Sequence, residues 1–396
     1  MNLIDEIVAS QPEMSQIRRE IHAHPELCYQ EVRTSDLVAR KLTEWGIPVH
    51  RGMGKTGVVG IVRQGSSKRA IGLRADMDAL PMQEKNTFAH ASQHAGKMHA
   101  CGHDGHTAML LAAAKYLSRQ RNFDGTVYLI FQPAEEGGGG AREMIKDGLF
   151  EQFEMDAVFG MHNWPGLPVG TISVSSGPVM ASSNEFQILV QGKGGHAGMP
   201  HNALDPVPVA CQLVTALQTI VSRNLKPVDA GVVSVSMFHA GEAVNVIPNQ
   251  VELQGTVRAF SVATLDMIEQ RMRSMTEHIC AAAGMQSSFR FKRNYPPTIN
   301  TESETEFARQ VLAGVVGADK VLVQEPTMGA EDFSFMLQAK PGCYAFLSNG
   351  DGAHRETGHG GGPCMLHNAS YDFNDELLPL GASYWVRLAE AWLRVG

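Results

Sequence analysis

The chain lacks the features that mark several common kinds of protein. No stretch of its 396 residues approaches the roughly 20 apolar residues that a bilayer-spanning helix needs. Basic side chains are in the minority, 33 Lys and Arg against 41 Asp and Glu, giving a net charge of −8 with no basic run or stripe. That deficit argues against nucleic acid and against an acidic membrane surface as partners. The opening residues MNLIDEIVAS carry acids where a secretory leader has a basic start and an apolar core. Cysteine is sparse: six residues, at 28, 101, 211, 280, 343 and 364, without the spacing of a disulfide framework. Without an export signal these are expected as thiols, and the protein is expected in the cytoplasm.

What is present is an ordinary globular composition, 43% hydrophobic with 40 glycines. At about 100–200 residues per domain, the length suggests two domains. Residues 3–45 carry apolar positions at helical spacing, among them Leu37, Val38 and Leu42, up to Gly46. Continuous apolar runs at 57–62, 70–75, 127–131 and 157–162 then alternate with helical stretches at 107–117 and 141–148. Uniformly apolar strands separated by helices predict a doubly wound, mostly parallel sheet covered on both faces. The rhythm changes at 181–294, where strands at 185–190, 231–238, 250–260 and 287–293 enclose helices at 206–221 and 264–283. That order, β-α-β-β-α-β, predicts an inserted ferredoxin-like domain between catalytic parts 1–180 and 295–396. The α/β pattern resumes with a strand at 344–349 and a closing helix at 377–393.

Chemistry-bearing residues collect where these strands end. MHACGHDGHTAML places Cys101 and His103 just ahead of a predicted helix. In an extended segment that spacing puts both side chains on one side, and the helix N-terminus favours a thiolate. Thiolate and neutral imidazole suit zinc and related divalent ions, although an isolated C-x-H also occurs by chance. The 127–131 strand runs into Glu135 and Glu136, and the 157–162 strand delivers His162. Alternate pointing would send one glutamate to a metal and leave the other as general base; a solvated acidic pair is the plainer alternative. Convergence of three strand ends on the crevice of a doubly wound sheet favours the metal centre.

Longer motifs extend this reading. LRADMDALP, FQPAEEGGGGAREMI, GMHNWPGLPVG, GKGGHAGMPH, AVNVIPNQVELQGTVR, MGAEDFSFM and LHNASYDFND occur in order from about His22 to the C-terminal helix. With the Cys101 motif, they make the chain resemble the hippurate hydrolase branch of the aminoacylase/carboxypeptidase-type dinuclear metallo-amidohydrolases. Plant auxin–amino acid conjugate hydrolases are similar. The resemblance implies two divalent metal ions per subunit, held by Cys101, His103, Glu136, His162 and His367, with Glu135 as general base. Zinc suits the thiolate best, while manganese, cobalt or nickel would suit the remaining ligands. The implied reaction is hydrolysis of an N-acyl amino acid to a carboxylic acid and a free amino acid. A dipeptidase or carboxypeptidase activity, or a binding protein without catalysis, are the alternatives.

Where wider relatives carry H-x-D, this chain has Asp76-Met-Asp78. Asp78 then reads as a residue that orients a ligand, and Asp76 as no ligand. His99 and His106 are expected to hydrogen-bond around the helix start, and His22 and His24 to be structural or to line an entrance. His90, His94, His354 and His359 are expected to be solvated. The resemblance also assigns the inserted domain to dimerisation and to closing over substrate, implying a homodimer or tetramer. It places His196 across the dimer interface as a donor to the carbonyl oxygen. Asn245 and Arg258 are the implied holders of the substrate carboxylate, although a strand arginine is as often a salt-bridge partner.

Overall fold

The computed structural model describes residues 1–355 and 357–395. Burial decides the layout of its larger unit. Every residue of the strands Ala70–Asp76 and Gly342–Gly350 is buried. An unbroken apolar run is what a strand covered on both faces requires. The sheet has eight strands in the order Val49–Met53, Gly57–Gln64, Gly125–Gln132, Ala70–Asp76, Ala157–Pro165, Gly342–Gly350, Ile172–Ser173, Val321–Leu322. The four inner strands, from Gly125–Gln132 to Gly342–Gly350, run parallel. Antiparallel pairings flank them, joining Gly57–Gln64 to Gly125–Gln132 on one side and Ile172–Ser173 to Gly342–Gly350 on the other. The unit is thus α/β with a mostly parallel sheet, and the reversed edge strands are what apolar run lengths do not reveal.

The helix His103–Arg119 is buried through its first three turns and packs against Gln11–Ala23 and the closing helix Leu377–Trp392. The expected helical region 3–45 is three helices, Asp5–Ala9, Gln11–Ala23 and Val32–Glu44. The second ends at His24, the residue before Pro25, where the proline ring disfavours helical backbone. A strand at Val49–Met53 and a helix at Glu302–Val316 were not foreseen.

The smaller unit comprises Pro178–Thr298 and Pro326–Glu331. Its four-stranded antiparallel sheet has the order Gly231–Ala240, Gln250–Ala259, Ser183–Gln191, Gln286–Tyr295. With the helices Pro206–Thr219 and Val262–Ala282 it forms the ferredoxin-like arrangement. Both helices start on a side-chain cap, Asp205 accepting from Val207 N and Ser261 from Thr264 N. Alternation puts Ile188, Val190, Leu253 and Val257 into a core with Leu213, Leu217, Ile268 and Met272 from the helices. A two-stranded ladder, Gly195–His196 with Val246–Ile247, is added to this plan. Among the described residues no helix is long and apolar enough to cross a membrane.

Candidate metal centre

Strand register sets the site. Asp76 pairs with Gln132, and Arg74 with Gly160, so Asp76 and His162 stand at one level on adjacent parallel strands. From Ala70–Asp76 the chain passes to Gly125–Gln132 on one side, then returns to Ala157–Pro165 on the other. Such a reversal opens a crevice beyond the carboxyl ends of the strands.

Cys101 and His103 do not lie in an extended segment. Gly102 between them has φ +88°, and His103 opens the helix four residues earlier than expected. A Cβ on Gly102 would stand 2.2 Å from Asn163 Nδ2 and 2.5 Å from the Tyr371 hydroxyl, so only glycine fits this corner. The turn nevertheless brings the ligand-type atoms of Cys101, His103 and His162 within 4.8 Å of one another. The same holds for Cys101, Glu136 and His367, and for His103, Glu135 and Glu136. Cys101 Sγ is 3.3 Å from His162 Nε2, and His367 Nε2 is 3.2 Å from Glu136 Oε1. His367 arrives on a loop in left-handed backbone, φ +59°, and its N–H donates to Ala100 O at 2.8 Å. All six residues named from the motifs for this centre are therefore together.

Hydrogen-bond partners fix the imidazoles. His103 Nδ1 faces the carbonyl oxygen of Asp78 at 2.9 Å, and His162 Nδ1 that of Asn163 at 2.6 Å. A carbonyl only accepts, so each Nδ1 donates, and each ring, when neutral, has its Nε2 lone pair left for the site. His103 Nε2 is buried with no hydrogen-bond partner. Asp78 accepts from Glu135 N at 3.0 Å and Glu136 N at 2.9 Å, and its Oδ1 lies 3.3 Å from His103 Nδ1. It thereby touches the supports of three site residues.

The electrostatics call for cations. Burial lowers the His103 pKa, but Asp76, Asp78 and Glu136 outweigh it and raise it to about 10. Burial and the neighbouring His106 hold His162 well below its ordinary value, hence neutral. Burial, then Glu136, Glu135 and Asp76, push the Cys101 thiol well above its ordinary value. A divalent ion bound there would take the place of both protons, as thiolate and imidazole ligands require. The orphaned His103 Nε2, the two oriented imidazoles, a thiol and two glutamates fit a divalent-metal centre. Asp76, His103 and His106 also lie within 4.8 Å of one another, with Asp76 and His106 hydrogen-bonded to protein groups. Asp76 accepts from His106 Nδ1 at 2.6 Å and Arg74 Nη1 at 2.8 Å, while His106 Nε2 accepts from Asn163 N at 2.9 Å.

Among the other histidines some meet expectation and some do not, His22 being structural as expected. His22 is fully buried between Asp104, 2.9 Å away, and Glu84, 3.2 Å away. Burial pulls its pKa down, but those carboxylates raise it to about 9. His90, His354 and His359 are not solvated: all three are drawn to Asp372, which also meets the buried Arg18. His94 is exposed as expected and bonds His24. His99 is buried with neither ring nitrogen hydrogen-bonded, and burial lowers its pKa to about 4. Asn163 was missed, yet it donates to Cys101 O at 2.6 Å and accepts from Tyr371 at 2.7 Å. Its place beside His162 on a buried strand was the available signal.

In the smaller unit His196 and Asn245 share the two-stranded ladder: His196 pairs with Val246, and Ala197 N donates to Asn245 O at 3.0 Å. Both are exposed. Arg258 is not with them. The ladder adjoins the Gln250 end of the strand Gln250–Ala259, where Gly192 N donates to Asn249 O, whereas Arg258 is next to its last residue. At about 3.3 Å per residue, that separates Arg258 from the ladder by roughly 25 Å. Within one chain, therefore, Asn245 and Arg258 stand apart.

A sheet-end centre of Cys, His and Glu in an α/β unit interrupted by a ferredoxin-like unit fits a metal-dependent hydrolase, and comparison with known proteins makes it an amidohydrolase. The chain belongs to peptidase family M20/M25/M40, whose pattern matches residues 72–391. It is 44% identical over 395 residues to the hippurate hydrolase of Campylobacter jejuni, covering 100% of both chains. Identity to IAA-amino acid hydrolase ILR1-like 4 of Arabidopsis thaliana is 40%, covering 95% of this chain and 85% of that one. Among solved structures, a dinuclear metal-binding peptidase of the M20 family from Bacillus subtilis superposes with TM-score 0.84 at 34% identity, covering 98% and 99%.

Proposed function

We infer that the chain is a metal-dependent amidohydrolase that cleaves N-acyl amino acids to a carboxylic acid and a free amino acid. The observation that carries this reading is the gathering of Cys101, His103, Glu136, His162 and His367 around one crevice with Glu135 beside them. Those five would hold two divalent ions; the thiol and imidazoles favour zinc, with manganese, cobalt or nickel as alternatives. When bound, the ions supply polarisation of the scissile carbonyl and acidify the attacking water.

The chain's own groups do the rest. Glu135, 7% exposed at the edge of the cluster, takes the proton of the attacking water and returns it to the leaving amine nitrogen. Asp78 holds the amides of both glutamates and, with its own carbonyl, fixes the His103 ring. His196 of the partner subunit donates to the developing oxyanion in a homodimer, which itself pairs into a tetramer or stands alone. The separation of Asn245 from Arg258 supports the same division: Asn245 travels with His196, and Arg258 meets the substrate carboxylate from the other chain. The six cysteines are all unpaired, as in a protein working in the reducing cytoplasm.

The test is turnover on benzoylglycine, N-acetyl amino acids and dipeptides by protein loaded in turn with zinc and manganese, metal content being measured alongside. Cleavage of acyl amino acids is expected. Cleavage of dipeptides alone would move the assignment to a peptidase, and bound metal without turnover would make it a binding protein.

A further inference from the structure

The loop that carries the two glutamates has an unusual shape. Ala134, the residue before Glu135, lies in the left-handed region with φ +54°, which an L residue with a side chain adopts only when its surroundings hold it there. Three successive N–H groups then meet two carboxylates. Ala134 N donates to Glu31 Oε1 at 2.9 Å, Glu135 N to Asp78 Oδ1 at 3.0 Å and Glu136 N to Asp78 Oδ2 at 2.9 Å. Asp78 belongs to the site already described; Glu31 does not.

Glu31 is 0% exposed and forms no ion pair with Lys or Arg among the described residues. Burying a carboxylate without a cation is unfavourable unless donors replace its water. Here Tyr29 N at 3.0 Å and Thr56 Oγ1 at 2.7 Å join the Ala134 amide. Burial, then the Asp78 carboxylate, still raise its pKa to about 7. A local role is available but unused: Glu31 sits at the N-cap of the helix Val32–Glu44, yet its side chain makes no cap bond. Its oxygens reach across to the loop and the neighbouring segments instead. The same segment grips the loop again. The Tyr29 hydroxyl donates to Gly138 O at 2.8 Å, and Cys28 Sγ lies 3.0 Å from Glu136 O.

We propose that Glu31, assisted by Tyr29, is a positioning residue for Glu135: by capturing the Ala134 amide it holds the left-handed turn that aims both glutamates into the crevice. This rests on the reading of Glu135 as general base. Without that acceptor the turn relaxes toward ordinary backbone, the next two amides leave Asp78, and the Glu135 carboxylate shifts. A displacement of about 1 Å is enough to lower a rate about 10²-fold.

The experiment measures kcat and KM on benzoylglycine with the metal-loaded, full-length enzyme. Glu31→Ala is expected to lower kcat by about 10- to 100-fold with KM within about 3-fold. Glu31→Gln should recover most of that loss, because its amide oxygen still accepts from Ala134 and its NH2 can donate to Thr56. In a double-mutant cycle at matched full metal occupancy, where the part played by Glu136 is held constant, Glu31→Ala should add nothing to Glu135→Gln, since the remaining loss runs through the Glu135 carboxylate. Independent, multiplying losses overturn the proposal, and so does a rise in KM with kcat unchanged. Should Glu31→Ala fail to fold, Tyr29→Phe replaces it, with a kcat loss of about 3- to 10-fold expected and an unchanged kcat overturning the idea. A normal Glu31→Ala beside an inactive Glu135→Gln removes this inference alone, whereas a fully active Glu135→Gln removes the assignment of the base.

Discussion

The two units treat polar side chains in opposite ways. In the larger one Arg18, His22, Arg74, His103, Asp76 and Asp104 are almost wholly buried, and each has partners from distant parts of the chain. In the smaller one the core cluster is apolar, buried polar side chains are few (Ser182, Asn184, Thr276 and Glu331 among them), and the candidate residues His196 and Asn245 stand exposed on or beside a short ladder. Buried polar networks are strongly destabilising when partly satisfied and rigid when complete. The larger unit therefore fixes its side chains before substrate arrives. The smaller unit presents groups that need another surface to give them a target.

The sharpest way to test that contrast is to damage each unit and ask whether the lesions complement. Glu135→Gln leaves the proposed ligands in place and should lower kcat by about 10²–10⁴-fold at near-normal metal content. His196→Ala should lower it by about 10²–10³-fold, the usual loss for one oxyanion donor. Mixed under subunit exchange, the two inactive variants should regain activity, since a heterodimer holds one chain's Glu135 with the other's His196. No recovery, with exchange shown by mass spectrometry, would place His196 in its own chain's site. A smaller effect is expected from Asp78→Asn, which cannot accept from both glutamate amides. Metal affinity and activity should fall together by about 10- to 100-fold. An unchanged metal affinity would show that the loop holds itself.

The smallest effect concerns stability and only the larger unit. Folding raises the pKa of His22 from 6.5 to about 9, between Asp104 and Glu84, with Arg18, His90 and His99 close by. A raised histidine stabilises the fold fully below its unfolded pKa, and the contribution fades as pH rises through the folded one. The wild type should exceed His22→Gln by on the order of 3 kcal/mol at pH 6, with the gap closing between pH 6.5 and about 9. A gap in thermal stability that stays constant from pH 6 to 10 would show that His22 is not held as a cation.

How much of this was legible beforehand follows from what each signal measures. The inner strands were readable because uniform burial demands an uninterrupted apolar run, as in AIGLRAD and GCYAFLSNG. The ferredoxin-like unit was readable because alternation and helical period switch in a fixed order. The direction of the Gly57–Gln64 strand was not, because pairing sense leaves no mark in a strand's own residues. His103 was placed ahead of its helix because the left-handed Gly102 looks like any loop glycine. His90 and His359 looked solvated because their neighbours in sequence are polar; Arg18 and Asp372, distant in sequence, make them otherwise.

Local patterns along the chain supplied the inventory: which strands are central, which segments carry ligand-type atoms, and that Glu135 and Glu136 follow a buried strand. Periodicity and composition are local properties, and these are local facts. Tertiary contacts set the left-handed turn at Ala134 against Glu31 and buried Cys101 beside Glu135, Glu136 and Asp76. They also set Asn245, beside the ladder near the Gln250 end of the strand Gln250–Ala259, apart from Arg258 near its other end. Backbone amides, fields and separations depend on which distant residues meet, and folding alone brings those residues together.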